Sequence, residues 1–289
     1  KENLKNRIES IINDKGRYAV ERAREEMFKN EKYGISDLGY LADIDKITAK
    51  GLYEHYVNIM KTSPIDIVVE GNFDEDEIVE IISNGFDFHR ENIIEIPRAD
   101  FIKKVDEIKV IKEEMDITQG KLVMGYRCNV DYKDEFKYYS LFVGSNVLGG
   151  GPHSKLFVNV REKESLCYYI YSSLEKYKTS MFISSGIESE NYDKTVELIG
   201  EQLKSLKEGK ISDEELLNSK SAIISSLKTI KDSLGGSSDF YFSQSMGGTN
   251  TTVEKIIEMI EKVTVSDIVE AFKNIELDTI YFLSNNKEA

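Results

Sequence analysis

Residues 148–168 read LGGGPHSKLFVNVREKESLCY. Three glycines and a proline cannot continue a helix, so they predict a loop after the apolar-rich helix expected over 135–148. A short helix is predicted for 154–162. Strands are predicted for 168–174 and 180–187, where apolar and polar residues alternate. The stretch therefore predicts a helix, a glycine-rich loop, a second helix and a hairpin in immediate succession.

Periodicity predicts further elements on both sides of this stretch. Helices are predicted at 1–30 with a break near 13–16, at 48–60, 74–84, 192–207 and 213–230, and two more are predicted after 230. Strands are predicted at 65–70, 109–115, 121–126 and 279–283. Residues 86–104 have little periodicity and predict a connector, and Gly235–Ser238 and Gly247-Gly248 predict loops that interrupt helices. Thr48, Asp74 and Ser212 have the residue types of helix N-caps.

Two segments of the chain resemble each other. Ile44–Thr48 reads IDKIT and Ile260–Thr264 reads IEKVT, and each precedes an amphipathic helix and then a predicted strand. Duplication on this scale predicts two domains of similar fold. The second copy has roughly 100 residues before its matching point that the first copy lacks, so we expect the first domain to be truncated at its N-terminus. The predicted domains are 1–104 and 105–289.

The composition is typical of a soluble globular protein, with 40% apolar and 31% charged residues. A net charge of −14 argues against general binding to nucleic acid or to an anionic membrane. No apolar run reaches the length of about 18 residues that a membrane span needs. Cys128 and Cys167 lack metal or redox spacing, so they predict buried thiols in a reducing cytoplasm.

The 148–168 stretch resembles the second-domain signature of the pitrilysin/insulinase-type zinc peptidases, the M16 metallopeptidases. The shared features are the glycine-rich loop, a Ser-x-Leu-Phe helix from Ser154, an Arg-Glu-Lys turn from Arg161, and Tyr168 seven residues after that arginine. A weaker resemblance covers nearly the whole chain. The residues of this motif most resemble those of a bacterial noncatalytic-type member of the family. The resemblance implies an α+β fold of duplicated domains, each a mostly antiparallel sheet packed with helices, that close on a peptide.

In active members of that family the zinc site lies in the first domain, on a His-x-x-Glu-His helix with a later glutamate. This chain contains His55, His89 and His153, none near another, and Glu2 is a poor match to the later glutamate. The resemblance therefore implies no catalytic residue and no metal ligand here. Zinc would belong to the parent protein or to a partner, if either is active. The motif could precede this chain, or the intact protein could be a noncatalytic subunit.

The resemblance assigns substrate binding to Arg161, Tyr168 and the glycines Gly149, Gly150 and Gly151. Preorganised donors of this kind stabilise an oxyanion next to a bound peptide. The structural alternatives are an ion pair in a turn, a buried tyrosine and a helix terminator. A phosphate-binding loop is excluded because no Gly-Lys-Ser/Thr follows the glycines. His153 is expected to be a surface or capping residue.

Two functions remain open from the sequence. The chain could supply the non-metal half of the peptide-enclosing chamber of a zinc endopeptidase. Alternatively, it could belong to a noncatalytic peptide-binding or scaffold subunit that pairs with an active M16 homologue. Both imply an unfolded peptide as ligand and a homologous subunit or a second copy as partner. We expect the chain alone to be inactive.

Overall fold

The structure is a computed structural model that describes residues 1–86, 89–96 and 102–285. It has an α+β fold with one five-stranded sheet in the described residues. The strands are β1 (Lys109–Met115), β2 (Gly120–Arg127), β3 (Cys167–Glu175), β4 (Ser180–Ile187) and β5 (Glu276–Asn285). The helices are α1 (Glu2–Ile11), α2 (Lys15–Met27), α3 (Leu41–Ile44), α4 (Ala49–Thr62), α5 (Glu75–Gly85), α6 (Glu135–Gly149), α7 (Tyr192–Lys207), α8 (Asp213–Thr229), α9 (Leu234–Gly247), α10 (Val253–Lys262) and α11 (Val265–Phe272).

The strand order of the sheet is β1-β5-β2-β4-β3. The edge strand β1 runs parallel to β5, and the other three pairs are antiparallel. β5 comes from the end of the chain and inserts between β1 and β2, so Val123 of β2 lies opposite Tyr281 of β5 and Ser184 of β4. The predicted mostly antiparallel sheet packed with helices is confirmed, and β3 forms its second edge.

Helix α2 covers one face of the sheet. Ala19, Ala23 and Met27 form one buried stripe at helical spacing, and they pack in a cluster with Val123 and Tyr281. Alanine brings the helix axis close to the strands because its side chain is short. Every residue of β2 except Lys121 is buried, as expected when helices cover both faces of a strand.

The opposite face of the sheet carries a second helical layer. Gly144 of α6 lies against α11, and a Cβ at Gly144 would lie 2.3 Å from Phe272 and 2.8 Å from Ile268. Only glycine lets these two helices approach so closely. On its other side, α6 meets β3, where Ser172 donates a 2.6 Å hydrogen bond to the carbonyl oxygen of Ser145.

A buried ion cluster fixes the end of α2 to the sheet. Arg127 is 5% exposed. Its guanidinium donates to Asp278 at 2.9 Å, to Glu31 at 2.8 Å and to the carbonyl oxygen of Met27 at 2.9 Å. Lys178 also pairs with Glu31, at 2.7 Å. Burial alone would raise the pKa of Glu31, but its hydrogen bonds and ion pairs with Lys178 and Arg127 outweigh burial and lower that pKa.

A second polar cluster lies on the same face of the sheet. Glu113 of β1 accepts hydrogen bonds from Arg22 at 2.8 Å, from Tyr18 at 3.0 Å and from Tyr281 at 2.9 Å. Burial raises the pKa of Glu113, and the three donors more than offset this, so the pKa lies below its ordinary value. The two clusters join α2 to three of the five strands.

The chain divides into two compact units. The larger unit holds the sheet and comprises Glu2–Tyr40, Ala99–Leu227 and Thr252–Ala289. The smaller unit comprises Leu41–Arg98 and Lys228–Thr251, together with Lys1. Within the smaller unit, α4 and α5 bury none of their residues. The domain boundary at 104/105 stays a prediction.

Two local predictions are wrong. Residues 64–70 form neither helix nor strand, although 65–70 was predicted as a strand. Hydrogen bonds from Ser245 to Asp66 and from Ser238 to Glu70 hold this segment through side chains instead of a backbone ladder. Gly235–Ser238 lies inside α9 and not in a loop, because the hydroxyl of Ser233 caps the helix at Gly236.

The other helix ends agree with the sequence. Thr48 and Asp74 cap α4 and α5, and Ser212 accepts a 3.1 Å hydrogen bond from the backbone amide of Glu215 at the start of α8. Gly248 ends α9 with a φ of 61°, which favours glycine. The predicted connector 86–104 lies partly outside the described residues.

Candidate functional site

The glycine-rich loop is shaped by close packing. A Cβ at Gly149 would lie 2.5 Å from the backbone nitrogen of Ser172 on β3. A Cβ at Gly150 would lie 2.7 Å from the Cα of Asn146 on α6. At Gly151 the nearest atom would be 3.5 Å away, on the His153 ring, so a methyl group fits there. The first two glycines let α6 end against β3, and Gly151 has open space beside it.

The segment after the loop forms a helix with an unusual pitch. Phe157–Glu162 is π-helical, and the amide of Lys163 donates to the carbonyl oxygen of Val158 five residues earlier. Such segments are rare and are frequent at functional sites. Just before it, Lys155 is buried and pairs with Glu215 of α8 at 2.9 Å. This buried pair fixes the direction of the π-helical segment.

Arg161 lies at the end of this π-helical segment and is half-buried. Its guanidinium carbon lies 4.5 Å from the ring centroid of Phe157, within the range of a cation–π contact. One guanidinium nitrogen lies 3.8 Å from a carboxylate oxygen of Glu162. The stacked ring restricts the side chain and leaves the planar donor group at the surface. The predicted ion pair in the turn is therefore present, and it does not bury the guanidinium.

Tyr168 lies in a β-bulge at the start of β3. Cys167 pairs with Ile187 and Tyr169 pairs with Gly186, so Tyr168 is the extra residue between two register positions. Its side chain is 61% exposed, which contradicts the alternative of a buried tyrosine. The phenol donates a 2.7 Å hydrogen bond to Glu188. That hydrogen bond and the negative charge of Glu188 raise the pKa of the Tyr168 phenol.

A short turn joins the two candidate residues. The amide of Ser165 donates to the carbonyl oxygen of Arg161 at 3.1 Å, and the amide of Leu166 donates to that of Val160 at 3.3 Å. Ser165 has a φ of 54°, which is uncommon for a residue with a side chain. The π-helical segment, the turn and the bulge thus place Arg161 and Tyr168 at the two ends of one hydrogen-bonded connection.

Each of the three histidines has its own surroundings. His153 lies 3.2 Å from the side-chain oxygen of Asn146. It also lines a cleft of about 410 Å³ between the π-helical segment and the start of α8. His55 is exposed on α4, and His89 lies 3.4 Å from Glu91. The prediction of a capping or surface role for His153 agrees with this position.

No metal site is evident in the part of the chain that the structure describes. In residues 1–86, 89–96 and 102–285, no three His, Cys, Asp or Glu side chains are grouped so that they could hold an ion. The described residues therefore do not fit a zinc ion. Cys128 and Cys167 are both buried and free, as predicted. Among the described helices, none combines the length and apolar character required to cross a bilayer.

Sequence reasoning missed Glu188. The predicted hairpin could have identified this residue. When strands 168–174 and 180–187 pair antiparallel, the start of the earlier strand lies beside the end of the later strand. Glu188 follows the second strand directly. The bulge at Tyr168 is not evident in the residue pattern, and it turns the phenol toward that carboxylate.

Comparison with known proteins gives one family. A family model described as the peptidase M16 inactive domain matches residues 46–223. A relative named "Probable inactive metalloprotease YmfF", from Bacillus subtilis (strain 168), is 36% identical over 289 residues, which is 100% of this chain and 67% of the relative. A "Non-peptidase homolog YmxG" from Helicobacter pylori (strain ATCC 700392 / 26695) is 22% identical over 92% of this chain and 62% of its own length.

A solved structure has the same fold over the full length of this chain. The crystal structure of a conserved protein from Enterococcus faecalis V583 superposes with a TM-score of 0.89 and 31% sequence identity. The match covers 100% of this chain and 68% of that protein. This chain therefore spans roughly two thirds of the length of these similar proteins.

Proposed function

The chain belongs to the family of peptidase M16 inactive domains, and from that membership we propose that it forms the non-metal half of a peptide-enclosing chamber. The subunit containing it would be a noncatalytic peptide-binding protein that pairs with an active M16 homologue or with a second copy. The names of the two relatives, an inactive metalloprotease and a non-peptidase homologue, favour this function over that of an endopeptidase. Zinc, where the assembly uses it, would be held by the active partner.

The observation that carries the proposal is the position of Arg161 and Tyr168 at the two ends of one hydrogen-bonded turn. An extended peptide offers alternating carbonyl oxygens and amide hydrogens. Arg161 presents five N–H donors on a side chain restricted by Phe157, and Tyr168 is exposed on a bulge at a sheet edge. Bulges at sheet edges redirect side chains next to binding sites. Gly151 adds open space in the loop before this segment, and Gly149 and Gly150 fix the loop that presents it.

The smaller unit supports the duplicated-domain part of the proposal. Leu52, Tyr53 and Tyr56 of α4 and Val79 and Ile81 of α5 are all exposed, although the helices are amphipathic. Amphipathic helices in globular proteins normally bury their apolar face. We propose that these helices belong to a first M16-like domain and that further sequence, of the kind the longer relatives have, covers them. The two buried thiols in the larger unit support a cytoplasmic location.

Peptide affinity tests the proposed site. The probe is a fluorescein-labelled, unstructured peptide of mixed polar composition, titrated with the full-length protein by fluorescence anisotropy. We expect Arg161→Ala and Tyr168→Phe each to weaken binding about 5- to 20-fold, because each removes hydrogen bonds to the peptide. Unchanged affinity in both variants would show that Arg161 and Tyr168 do not bind the peptide and have a structural role.

Two matched controls separate binding from folding. Arg17→Ala removes an exposed arginine that forms an ion pair with its helix neighbour Glu21, and Tyr171→Phe changes a tyrosine on the same strand as Tyr168. Neither should change the affinity more than twofold. We also expect this chain alone to hydrolyse no peptide. Stoichiometric zinc in the purified chain would contradict the assignment of the metal to the partner.

A further inference from the structure

Glu188 is the immediate partner of the exposed phenol in the candidate site. It follows the last residue of β4 and accepts the 2.7 Å hydrogen bond from Tyr168. Tyr168 is the bulged residue opposite the end of β4, so backbone geometry brings the two side chains together. A tyrosine has one O–H donor and lone pairs on the same oxygen. An ionised carboxylate only accepts hydrogen bonds, so the donor must be the phenol.

We propose that Glu188 is a positioning residue that holds the proton of Tyr168, so that the phenol faces a bound peptide as a hydrogen-bond acceptor for N–H groups. This inference rests on the proposed peptide-binding function and assigns a chemical preference to the site. It differs from a role in which the tyrosine donates to a peptide carbonyl, because the single phenolic proton is already committed. Arg161 remains the donor of the pair. One donor and one acceptor along a surface match the alternation of an extended backbone.

The charge on Glu188 adds a preference among peptides. In the described residues no lysine or arginine forms an ion pair with Glu188, so its negative charge is not neutralised by such a contact. The side chain of Glu188 is exposed, as are those of Glu190, two residues later, and of Glu162, which follows Arg161. Hydrogen bonds from ammonium or guanidinium groups are stronger than those from neutral amides. The pair therefore favours peptides with lysine or arginine over neutral peptides of the same length.

The experiment has two parts on the full-length protein. The first follows the Tyr168 phenol by NMR with ¹³Cζ-labelled tyrosine, assigned with Tyr168→Phe. The hydrogen bond and charge of Glu188 keep the phenol protonated, so Glu188→Gln should move the titration of Tyr168 to lower pH. Glu190→Gln is the matched control, since it removes an exposed glutamate two residues away, and it should leave the titration in place. A titration that is the same in Glu188→Gln and wild type would overturn the inference, whether or not peptide binds.

The second part compares two labelled, unstructured peptides of about 12 residues, one with four lysines and one with glutamines in their place. Anisotropy should show that Glu188→Gln weakens binding of the lysine peptide about 5- to 10-fold and of the glutamine peptide less than twofold. Equal losses for both peptides would overturn the inference and leave the proposed function in place. If the wild-type protein binds neither peptide, the proposed function is the part that is wrong.

Discussion

The two units of this chain are built from similar helices but differ in what the helices cover. In the larger unit, α2 and α6 pack on opposite faces of one sheet, and their apolar side chains are buried. In the smaller unit, α4 and α5 are as clearly amphipathic as α2, and they bury no residue. An apolar stripe predicts that a helix packs one face into a core. The helix buries that face only where the strands that complete the core are also present. In the described residues the larger unit has five paired strands, including β5 (Glu276–Asn285).

The difference has a thermodynamic consequence. Burial of apolar surface is the main favourable contribution to folding, so the free energy of unfolding should depend on side chains of the larger unit. The same chemical change in the smaller unit should have little effect in this chain. Three matched pairs of substitutions test that statement by urea denaturation, and a pH profile of Glu113→Gln follows them.

The largest effect is expected for the buried charge Arg127. Arg127→Ala leaves Asp278 in the interior without its guanidinium partner and Glu31 with Lys178 alone, which should lower the free energy of unfolding by about 4 kcal/mol. Its match in the smaller unit is Lys50→Ala, which removes an exposed pair with Glu54 and should cost less than about 0.5 kcal/mol. Similar losses for the two variants would contradict the comparison.

A leucine in each unit gives the second test. Leu141→Ala in α6 removes a fully buried side chain and should cost about 3 kcal/mol, from lost transfer energy and from the cavity. Leu52→Ala in α4 removes a side chain that is 59% exposed and should change stability by less than about 0.5 kcal/mol. In the full-length protein, the effect of Leu52→Ala should increase if further sequence covers α4. An effect that stays small there would argue against a covered first domain.

Two helical glycines give the third test. Gly144→Ala forces a methyl group against Phe272 and Ile268 and should cost about 2 kcal/mol through overpacking. A methyl group in Gly85→Ala, at the end of α5, meets no neighbour within 4 Å among residues 1–86, 89–96 and 102–285, so the lower flexibility of alanine should leave stability unchanged or slightly raised. A loss for Gly85→Ala as large as that for Gly144→Ala would show that the space around α5 is not open.

The smallest effect concerns pH and the polar cluster around Glu113. Its pKa in the folded protein lies below the ordinary value of 4.5, so its contribution is fully present above that pH. The contribution is lost as the pH falls through the lower, folded-state pKa. Glu113→Gln should therefore lower stability by about 1 kcal/mol at pH 7 and lose less than wild type below pH 4.5. Parallel pH profiles for wild type and variant would show that ionisation of Glu113 does not contribute to the free energy of unfolding.

Most of the larger unit was predictable from the sequence. The helix over 192–207 and the hairpin that precedes it follow from periodicity, and both have the predicted bounds within one residue. The order of strands was not predictable in the same way. The insertion of β5 between β1 and β2 depends on pairing between residues more than 150 positions apart, such as Val123 and Tyr281.

The two wrong secondary-structure predictions, at 65–70 and 235–238, lie in the smaller unit. The run at 65–70 has the β-branched residues of a strand, but strand propensity expresses packing against neighbours, and no strand lies beside it in the described residues. Gly235 and Gly236 join a helix because the cap at Ser233 and the apolar residues that follow outweigh the low helix propensity of glycine. At the site, Arg161 and Tyr168 came from a motif, whereas Glu188 required the register of the hairpin and its bulge.

Photo-cross-linking of a bound peptide tests the proposed peptide site at Arg161 and Tyr168. An unstructured, lysine-containing peptide that carries one benzoylphenylalanine would be irradiated with the full-length protein, and the adducts would be mapped by mass spectrometry. We predict adducts on the segment from Gly151 to Tyr168 and around Glu188, with their yield reduced by Tyr168→Phe. Adducts confined to other surfaces, such as α4 or α5, would contradict a peptide site at Arg161 and Tyr168.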